Sequence, residues 1–386
     1  MLTLSEYRSL DAMALALGVR NRDFTNEEVT TCAIEQAEKV NPILNAINIE
    51  CYDSALDQAK LFDANPELLK QSQVAGLPFL IKDLAAVKGL PTTSGSRLYK
   101  DYLPLHNSNI VQTYLNAGLV VLGKTNTPEC GLTLTTEPIA TGVTRNPWNI
   151  KYSTGGSSGG AGAAVAGAIS PTAHATDGGG SIRIPASCCG LFGLKPSRGL
   201  TVIENNFSGS WGGLSAGHVL SQTVRDSAAF LDLIALDAPN LFALPDKPTS
   251  FLESLDQPLP KLRVGVQLEH PMDQHLDKNC FRAVTNAAML CESLGHSLEE
   301  ISHPIEYRPV VQAMTKIINL YVHKSLSSRL EELNLGLDVA PLEASTRIMA
   351  TLGQSLKATE YLDALDLIKE AERQMAKFHQ RYDIVL

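Results

Sequence analysis

Residues 153 to 185 read STGGSSGGAGAAVAGAISPTAHATDGGGSIRIP, and the rest of the chain is best interpreted outward from them. Ser157 and Ser158 lie inside a Gly-Gly-Ser-Ser-Gly-Gly run, and Ser181 directly follows three glycines at 178–180. Such runs are costly to fold, because glycine loses more backbone freedom than any other residue. They allow backbone N–H groups to point into one cavity, and a serine oxygen beside that cavity suits attack on a carbonyl carbon.

The segment from Ser158 to Ile169 joins the two serine sites and carries small residues on every side. It predicts a buried helix packed closely against neighbouring backbone, with its positive N-terminal end at Ser157 and Ser158. The same run matches the G-x-S-x-G motif of α/β-hydrolases, but that motif requires a buried strand immediately before it. Residues 146–152 are not such a strand, so we interpret the match as accidental.

A base is needed beside these serines, since a serine hydroxyl alone is a weak nucleophile. Lys82 follows an apolar strand predicted at 77–81, and a residue there must be solvated, paired in an ion pair or functional. Burial away from compensating charge lowers the pKa of a lysine, and its free amine then accepts a proton. Lys82 is the best-placed lysine for this role, while a Ser-His-Asp triad using His174 stays open.

Residues 118 to 125 match the phosphate-loop expression G-x-x-x-x-G-K-T. The four middle residues, 119–122, are apolar and favour a strand where a phosphate loop requires an irregular turn. Pro128 also interferes with the helix that should follow. The segment therefore predicts a strand and no nucleotide site.

Local patterns elsewhere predict an α/β protein. Two capping boxes, at Thr3 and Thr25, mark helices near the start of the chain. A strand, an amphipathic helix and a second strand are predicted between 262 and 301, and this βαβ unit implies a parallel strand pair. Helices fill 308–380, and residues 382–386 are predicted to enter a sheet.

Composition narrows the class of partner. The 386 residues carry a net charge of −9, which disfavours direct binding to nucleic acid or to an anionic membrane. No stretch is long and apolar enough to span a bilayer, and the start lacks the pattern of a signal peptide. Seven scattered cysteines without a C-x-x-C pair predict reduced thiols in a cytoplasmic protein. We expect neither a metal nor a cofactor.

Three separated motifs resemble the amidase signature family. They are GLPFLIKD at 76–83, the Gly-Gly-Ser-Ser-Gly-Gly loop, and DGGGSIRIP at 177–185, with 24 positions between Ser157 and Ser181. The resemblance extends from the N-terminal helices to residue 386. It implies a single amidase domain over 1–386, built on a central, mostly parallel mixed sheet flanked by helices, with the helices of 1–65 packed on it.

The resemblance also implies a Ser-Ser-Lys mechanism. Ser181 would be the nucleophile that forms an acyl-enzyme, and Ser157, following a cis peptide bond, would relay the proton between it and Lys82. An ion pair between Asp177 and Arg183 would hold the shape of the loop. The oxyanion hole would consist of the backbone N–H groups of Gly178, Gly179, Gly180 and Ser181.

Within the family, the sequence motifs most resemble those of 6-aminohexanoate-cyclic-dimer hydrolases and related bacterial amidases. Substrate contacts are expected around Cys130 and Gly131, from residues 203–212, and from the helices after 305. The implied substrate is a small linear or cyclic amide, and a homodimer is left open.

Two alternatives remain at this point. The chain could be the A subunit of a tRNA-dependent amidotransferase, in which the same residues release ammonia for a partner, or a catalytically silent, truncated homologue. Family members usually continue for roughly a hundred residues beyond the segment at 382–386, so we expect an uncovered apolar sheet face or edge there.

Overall fold

The computed structural model describes residues 1–202, 210–236, 247–272 and 275–386. The chain divides into two compact units, Met1–Asp256 with Ser327–Arg347 and Gln257–Leu326 with Ile348–Leu386. Two such units are compatible with one domain or with two, so the single-domain assignment over 1–386 stays a prediction. Over the described ranges, no helix is both long enough and apolar enough to cross a membrane.

The first unit opens with four helices, and both predicted capping boxes are present. Thr3 and Thr25 each accept the backbone N–H of the glutamate three residues on, whose side chain accepts the N–H of the cap in return. This reciprocal pair satisfies two donors that a helix start otherwise leaves unpaired. The helices are α1 (Leu4–Ser9), α2 (Ala12–Asn21), α3 (Asn26–Leu44) and α4 (Tyr52–Ala64).

A mixed sheet forms the centre of the first unit. Its described strands are β1 (Ile47–Glu50), β2 (Pro78–Lys82), β3 (Val120–Thr125), β4 (Thr172–Asp177), β5 (Phe192–Gly193) and β6 (Ala216–Ser221). They lie in the order β1-β3-β2-β4-β6-β5. β2 pairs parallel with β3 and β4, while β1, β6 and β5 pair antiparallel with their neighbours. Only β1 and β6 therefore oppose the common direction of these strands, which confirms the predicted mostly parallel, mixed sheet.

Helices cover this sheet and supply its core. Phe79 of β2 stacks on Phe230 with ring centroids 5.5 Å apart, and its centroid lies 4.8 Å from that of Tyr114. All three rings are fully buried, so two helices are fixed against the central strand by large apolar area. The remaining helices of the unit are α5 (Asn109–Asn116), α6 (Gly159–Ala166), α7 (Arg183–Cys189), α8 (Val224–Ile234) and α9 (Phe251–Ser254).

The predicted small-residue helix is α6, and it is buried from Gly159 to Val165. Its glycines permit contacts that no side chain would. A Cβ added at Gly160 would lie 2.4 Å from the backbone N and 2.5 Å from the backbone O of Asn126. The Gly160 N–H donates to that same carbonyl oxygen, so helix and strand-end backbone touch directly.

The second unit contains the predicted βαβ arrangement. Its elements are β7 (Arg263–Val266), α10 (Lys278–Ser293), β8 (Ser297–Glu300), α11 (Tyr307–Glu332), α12 (Ala344–Ser355), α13 (Ala358–Phe378) and β9 (Ile384–Val385), with α11 and α12 contributing residues to both units. The strands lie in the order β8-β7-β9 with both pairs parallel, which confirms the parallel unit and the entry of the last residues into a sheet. Ile384 and Val385 are 36% and 38% exposed at one edge, and the expectation of a missing covering segment stays a prediction.

The contact at Gly160 generates a test of packing. Gly160→Ala should lower the free energy of unfolding by roughly 2 kcal/mol, because overpacking against fixed backbone outweighs the gain in helix propensity. Urea unfolding at neutral pH measures this change. The matched control is Gly162→Ala in the same helix, where the nearest atom to the new Cβ, the Cys189 sulfur, lies 3.2 Å away. Equal stability of the two variants would contradict the proposed backbone contact.

Candidate active site

Lys82 is the last residue of β2 and is completely buried. Its Nζ donates to Ser157 Oγ at 2.8 Å, to Ser158 Oγ at 2.9 Å and to Thr176 Oγ1 at 3.0 Å. The strand end thus places the amine among three hydroxyl groups that come from the loop leading into α6 and from β4. Two of these contacts, those of Ser158 and Thr176, were not predicted from the sequence.

Ser157 lies in a loop whose backbone is held from several directions. The peptide bond from Gly156 to Ser157 is cis, and Gly155 has φ +71°, in the region that favours glycine. Thr127 donates its hydroxyl to the Ser157 carbonyl at 3.0 Å, and Thr136 donates to the Gly155 carbonyl at 3.0 Å. Ser157 is 2% exposed, so its hydroxyl lies in a position fixed by surrounding groups.

Ser181 stands at the end of the glycine loop that follows β4. It is buried, and its carbonyl accepts the Ser158 N–H at 3.3 Å, so the two serine-bearing loops are in direct contact. Gly180, just before it, has φ +118°, which a residue with a side chain rarely adopts. The glycine at this position therefore sets how the backbone approaches Ser181.

Asp177 organises the same loop from its buried side. Its carboxylate accepts the N–H groups of Gly180 at 2.8 Å and Ile182 at 3.1 Å, and it forms a bidentate pair with Arg183 at 2.9 Å for both contacts. Burial alone would raise the pKa of Asp177, but the hydrogen bonds from Arg183 and Gly180 hold that pKa below its usual value. The predicted ion pair between Asp177 and Arg183 is confirmed.

This arrangement changes one expectation about the oxyanion hole. The backbone N–H of Gly180 already donates to Asp177, so it is not available to an oxyanion. Gly180 contributes the conformation of the loop instead. Outside the sheet ladders, the described part of the chain shows no hydrogen bond from the backbone N–H of Gly178, Gly179 or Ser181.

His174, the alternative base, lies in the interior of the sheet. It is completely buried in β4, and its Nδ1 accepts the backbone N–H of Lys82 at 3.4 Å. Burial, with the neighbouring Lys82, lowers the pKa of His174 to about 3. The imidazole is therefore neutral at ordinary pH and serves the packing of the sheet, where its ring centroid lies 5.8 Å from that of Tyr114.

Cys130 and Gly131 lie in a short 3-10 turn next to Ser157. The Cys130 N–H donates to the Ser94 carbonyl at 2.8 Å, and both turn residues have positive φ. A Cβ added at Gly131 would lie 3.4 Å from Ser157 Oγ and 2.7 Å from Leu84 Cδ1. Burial raises the pKa of the Cys130 thiol, which disfavours the thiolate that a nucleophilic cysteine requires.

One further side chain reaches the glycine loop. Of the predicted substrate-contact segment 203–212, residues 203–209 lie outside the described residues. Trp211 is described, and its ring packs so closely on Gly178 that a Cβ there would lie 2.5 Å from Trp211 Cζ3. The aromatic ring was covered by the predicted segment, but nothing in the sequence singled it out from its neighbours.

A second buried lysine was missed by the sequence analysis. Lys124, in the stretch that matches a phosphate loop, lies in β3, and the prediction of a strand there is confirmed. Its Nζ lies 2.8 Å from Asp83 Oδ1, with both side chains completely buried. The residue that follows Lys82 thus takes part in a buried ion pair, while Lys82 itself contacts hydroxyl groups.

The fold and these motifs are those of the amidase class of proteins. The family model named Amidase matches residues 28–386, so the chain belongs to the amidase family. Three segments that meet at Lys82 and Ser157, far apart in sequence, carry the same motifs that suggested this family.

Relatives within the family refine the comparison. The chain is 40% identical over 303 residues to the 6-aminohexanoate-cyclic-dimer hydrolase of Paenarthrobacter ureafaciens, a match that covers 75% of this chain and 59% of that protein. It is 34% identical over 297 residues to the A subunit of the glutamyl-tRNA(Gln) amidotransferase of Cellvibrio japonicus, covering 75% and 60%. The chain thus spans about three fifths of the length of these curated relatives.

A solved structure of a relative has the same fold. The fold superimposes on a 6-aminohexanoate cyclic dimer hydrolase complexed with substrate, with a TM-score of 0.89 and 31% sequence identity. The superposition covers 97% of this chain and 78% of that one. The predicted resemblance to the amidase signature family, and to this subgroup within it, is confirmed.

The Asp177 cluster predicts a pH-dependent contribution to stability. Asp177→Asn should lower the free energy of unfolding by about 2 kcal/mol at pH 7, since it removes a buried carboxylate with several donors. Because the pKa of Asp177 is lower in the folded protein than in the unfolded chain, this contribution is complete above the unfolded pKa. It is lost as the pH falls through the folded pKa.

Urea unfolding of wild type and variant at pH 7, 5.5 and 4 measures this dependence, and the difference between them should begin to shrink at the lowest pH. Glu67→Gln is the control, because Glu67 forms an ion pair with Lys70 in which both side chains are largely exposed. A difference that stays constant or grows toward pH 4 would contradict the assignment of the ionised carboxylate as the stabilising form.

Proposed function

We propose that the protein hydrolyses small linear or cyclic carboxylic amides through an acyl-enzyme on Ser181, with Ser157 and Lys82 as the proton relay. The observation that carries the proposal is the 2.8 Å contact between Lys82 Nζ and Ser157 Oγ at a fully buried strand end. Membership of the amidase family supports the choice of an amide as substrate.

In the acylation step, Ser181 Oγ forms a bond to the amide carbon and gives up its proton. Ser157 Oγ accepts that proton while its own proton moves to Lys82 Nζ, so the relay ends with a lysine ammonium. The neutral amine is the form that can accept it, and burial disfavours the charged form of a lysine before the step. The contact between the Ser158 N–H and the Ser181 carbonyl supports the closeness of the loops that this transfer requires.

The tetrahedral intermediate carries negative charge on the former carbonyl oxygen. In this proposal the N–H groups of Gly178, Gly179 and Ser181 donate to that oxygen, and Gly180 sets the loop while its own N–H stays with Asp177. Backbone donors of this kind are fixed before the reaction, so they cost no reorganisation when the charge develops.

Collapse of the intermediate breaks the C–N bond and returns the proton from Lys82 through Ser157 to the leaving amine. Water then attacks the ester at Ser181, and the same relay accepts the water proton and returns a proton to Ser181 Oγ. The product is a free carboxylic acid, and all groups return to their starting protonation states.

The walls of the site favour a small substrate with apolar parts. Gly131 and the Cys130 turn bound one side near Ser157, and the ring of Trp211 lies beside Gly178 on another. The relative from Paenarthrobacter ureafaciens is named for a cyclic dimer of 6-aminohexanoate, an amide that combines aliphatic chains with peptide-like bonds. Such aliphatic amides are the first class of substrate to test.

Replacing the base tests the relay. Lys82→Ala should abolish hydrolysis and reduce the rate of labelling of Ser181 by a fluorophosphonate probe by a factor of about 10³ or more near pH 7, because the serine loses its proton acceptor. Peptide mass spectrometry locates the label, and circular dichroism checks the fold. Ser181→Ala, which removes the labelled oxygen, gives the background.

Lys100→Ala is the matched control, since Lys100 is exposed and pairs only with its neighbour Asp101 in the described structure. Lys82→Ala protein that is labelled at close to the wild-type rate would overturn the base assignment. Folded wild-type protein without any label at Ser181 would support the silent homologue that the sequence left open.

The two neighbouring serines are expected to differ. Ser157→Ala should cost about as much activity as Lys82→Ala, because it interrupts the relay, whereas Ser158→Ala should cost roughly tenfold, since it removes one of several contacts that orient the amine. Rates of hydrolysis of a substrate found by screening a panel of amides give this comparison. Equal losses in the two variants would show that the relay does not run through Ser157 alone.

A second function is supported by the 34% identity to the A subunit of an amidotransferase. In that case the same residues would act on glutamine and pass ammonia to a partner. Co-purification of a partner protein, together with glutaminase activity that depends on it, would favour this function. Hydrolysis of simple amides by the isolated chain would favour the function proposed above.

A further inference from the structure

The buried pair of Asp83 and Lys124 lies beside the proposed base without being part of the relay. Lys124 Nζ lies 2.8 Å from Asp83 Oδ1, and it also donates to Thr92 Oγ1 at 2.6 Å and to the Pro91 carbonyl at 2.9 Å. Both charged side chains are completely buried. A buried ion pair is costly to desolvate and is often no more stable than an apolar pair of the same volume, so stability alone does not explain it.

The carboxylate of this pair has donors besides Lys124. Asp83 accepts the amide of Asn48 at 2.7 Å, the Thr93 N–H at 3.1 Å and the Thr93 hydroxyl. Lys124 in turn has the two oxygen partners of the 91–92 segment. Each member therefore keeps hydrogen-bonding partners that favour its charged form when the other is removed.

Both charges stand next to Lys82 in the sheet. Asp83 is the following residue, and its N–H donates to the carbonyl of Thr125, which is the partner of Lys82 in the register between β2 and β3. Lys124 is the register partner of Ile81, on the adjacent strand. Register partners project to the same face of a sheet and consecutive strand residues to opposite faces, so Lys124 projects to the face opposite to Lys82. In a buried site little solvent screens a charge, so an uncompensated charge on one face of the sheet still acts on an amine on the other.

We propose that Asp83 and Lys124 are positioning residues for the base: each cancels the charge of the other beside Lys82, and this balance keeps the Lys82 amine able to accept a proton. The inference rests on the role proposed above for Lys82 and deepens it. Without Lys124, the Asp83 carboxylate would stabilise the Lys82 ammonium; without Asp83, the Lys124 ammonium would disfavour it.

Other charged or titratable groups face Lys82 from the elements packed against it, and the proposed changes leave all of them in place. His174 of β4 is neutral, as its pKa of about 3 requires. Asp177 at the end of β4 is paired with Arg183. The positive end of α6 lies at Ser158.

Direct titration of Lys82 tests the proposal without relying on catalysis. Protein labelled with 13C at lysine Cε is followed by NMR as a function of pH, and the Lys82 signal is assigned by its loss in Lys82→Met. We expect Asp83→Asn to lower the midpoint of the Lys82 titration by roughly one pH unit and Lys124→Met to raise it by a similar amount. The double variant Asp83→Asn/Lys124→Met should titrate within about half a unit of wild type.

Opposite shifts in the single variants, with return in the double variant, would support the charge balance. Unchanged midpoints, or shifts of the same sign, would overturn it. If a single variant does not fold, the double variant still decides: it leaves no buried charge unpaired, and a midpoint displaced by a unit or more contradicts the proposal. Lys70→Met, in the exposed pair with Glu67, is the matched control and should leave the Lys82 signal in place.

Labelling of Ser181 separates this inference from the proposed function. The pH dependence of fluorophosphonate labelling should shift with the NMR midpoint in each variant, because the same amine accepts the proton. Wild type that titrates as expected but is never labelled would overturn the hydrolase and leave the charge balance supported. Normal labelling of wild type, with an unshifted pH profile in the variants, would support the hydrolase and overturn the charge balance.

Discussion

The proposed mechanism depends on one constraint: an amine must be buried at the end of an apolar strand without being fixed as a cation. Lys82 contacts the hydroxyl groups of Ser157, Ser158 and Thr176. Hydroxyl oxygens accept hydrogen bonds from an amine in either protonation state, whereas a carboxylate would strongly favour the charged form. The sheet supports this choice, because parallel neighbours on both sides of β2 bury its last residue completely.

Glycine supplies the second requirement, which is close approach of backbone to backbone. At Gly160, helix and strand-end atoms are too near to admit a methyl group, and at Gly131 a methyl group would lie 2.7 Å from Leu84 Cδ1, close to Ser157. On folding, glycine at each position loses more backbone entropy than alanine would. The loss is concentrated in the segments that carry the two serines, and the stability that offsets it comes from ordinary apolar packing such as that of Phe79, Tyr114 and Phe230.

The sequence predicted those features that local patterns specify. Capping boxes at Thr3 and Thr25, the strand in place of a phosphate loop at 120–125 and the βαβ unit of the second unit all follow from spacing over a few residues. The pairing of Lys82 with Ser157 joins residues 75 positions apart, and only the family resemblance suggested it. Contacts at this separation depend on strand order and register, which no local pattern specifies.

The same limit explains what was missed. Lys124 and Lys82 both interrupt or follow apolar strand residues, so the hydrophobic pattern cannot distinguish their roles. Only the register of the strands shows that Lys124 pairs with a carboxylate, that of Asp83. Ser157 and Ser158 are likewise adjacent and identical in type, yet both contact the same amine. In the proposed relay the two serines differ in their surroundings: Ser158 Oγ also contacts the backbone N–H and carbonyl of Thr176, while the Cβ position that Gly131 lacks lies 3.4 Å from Ser157 Oγ. The hydroxyl of Ser158 is enclosed by contacts to the backbone of β4 and so holds the amine in place, which is why we assign the transfer of the Ser181 proton to Ser157 rather than to Ser158.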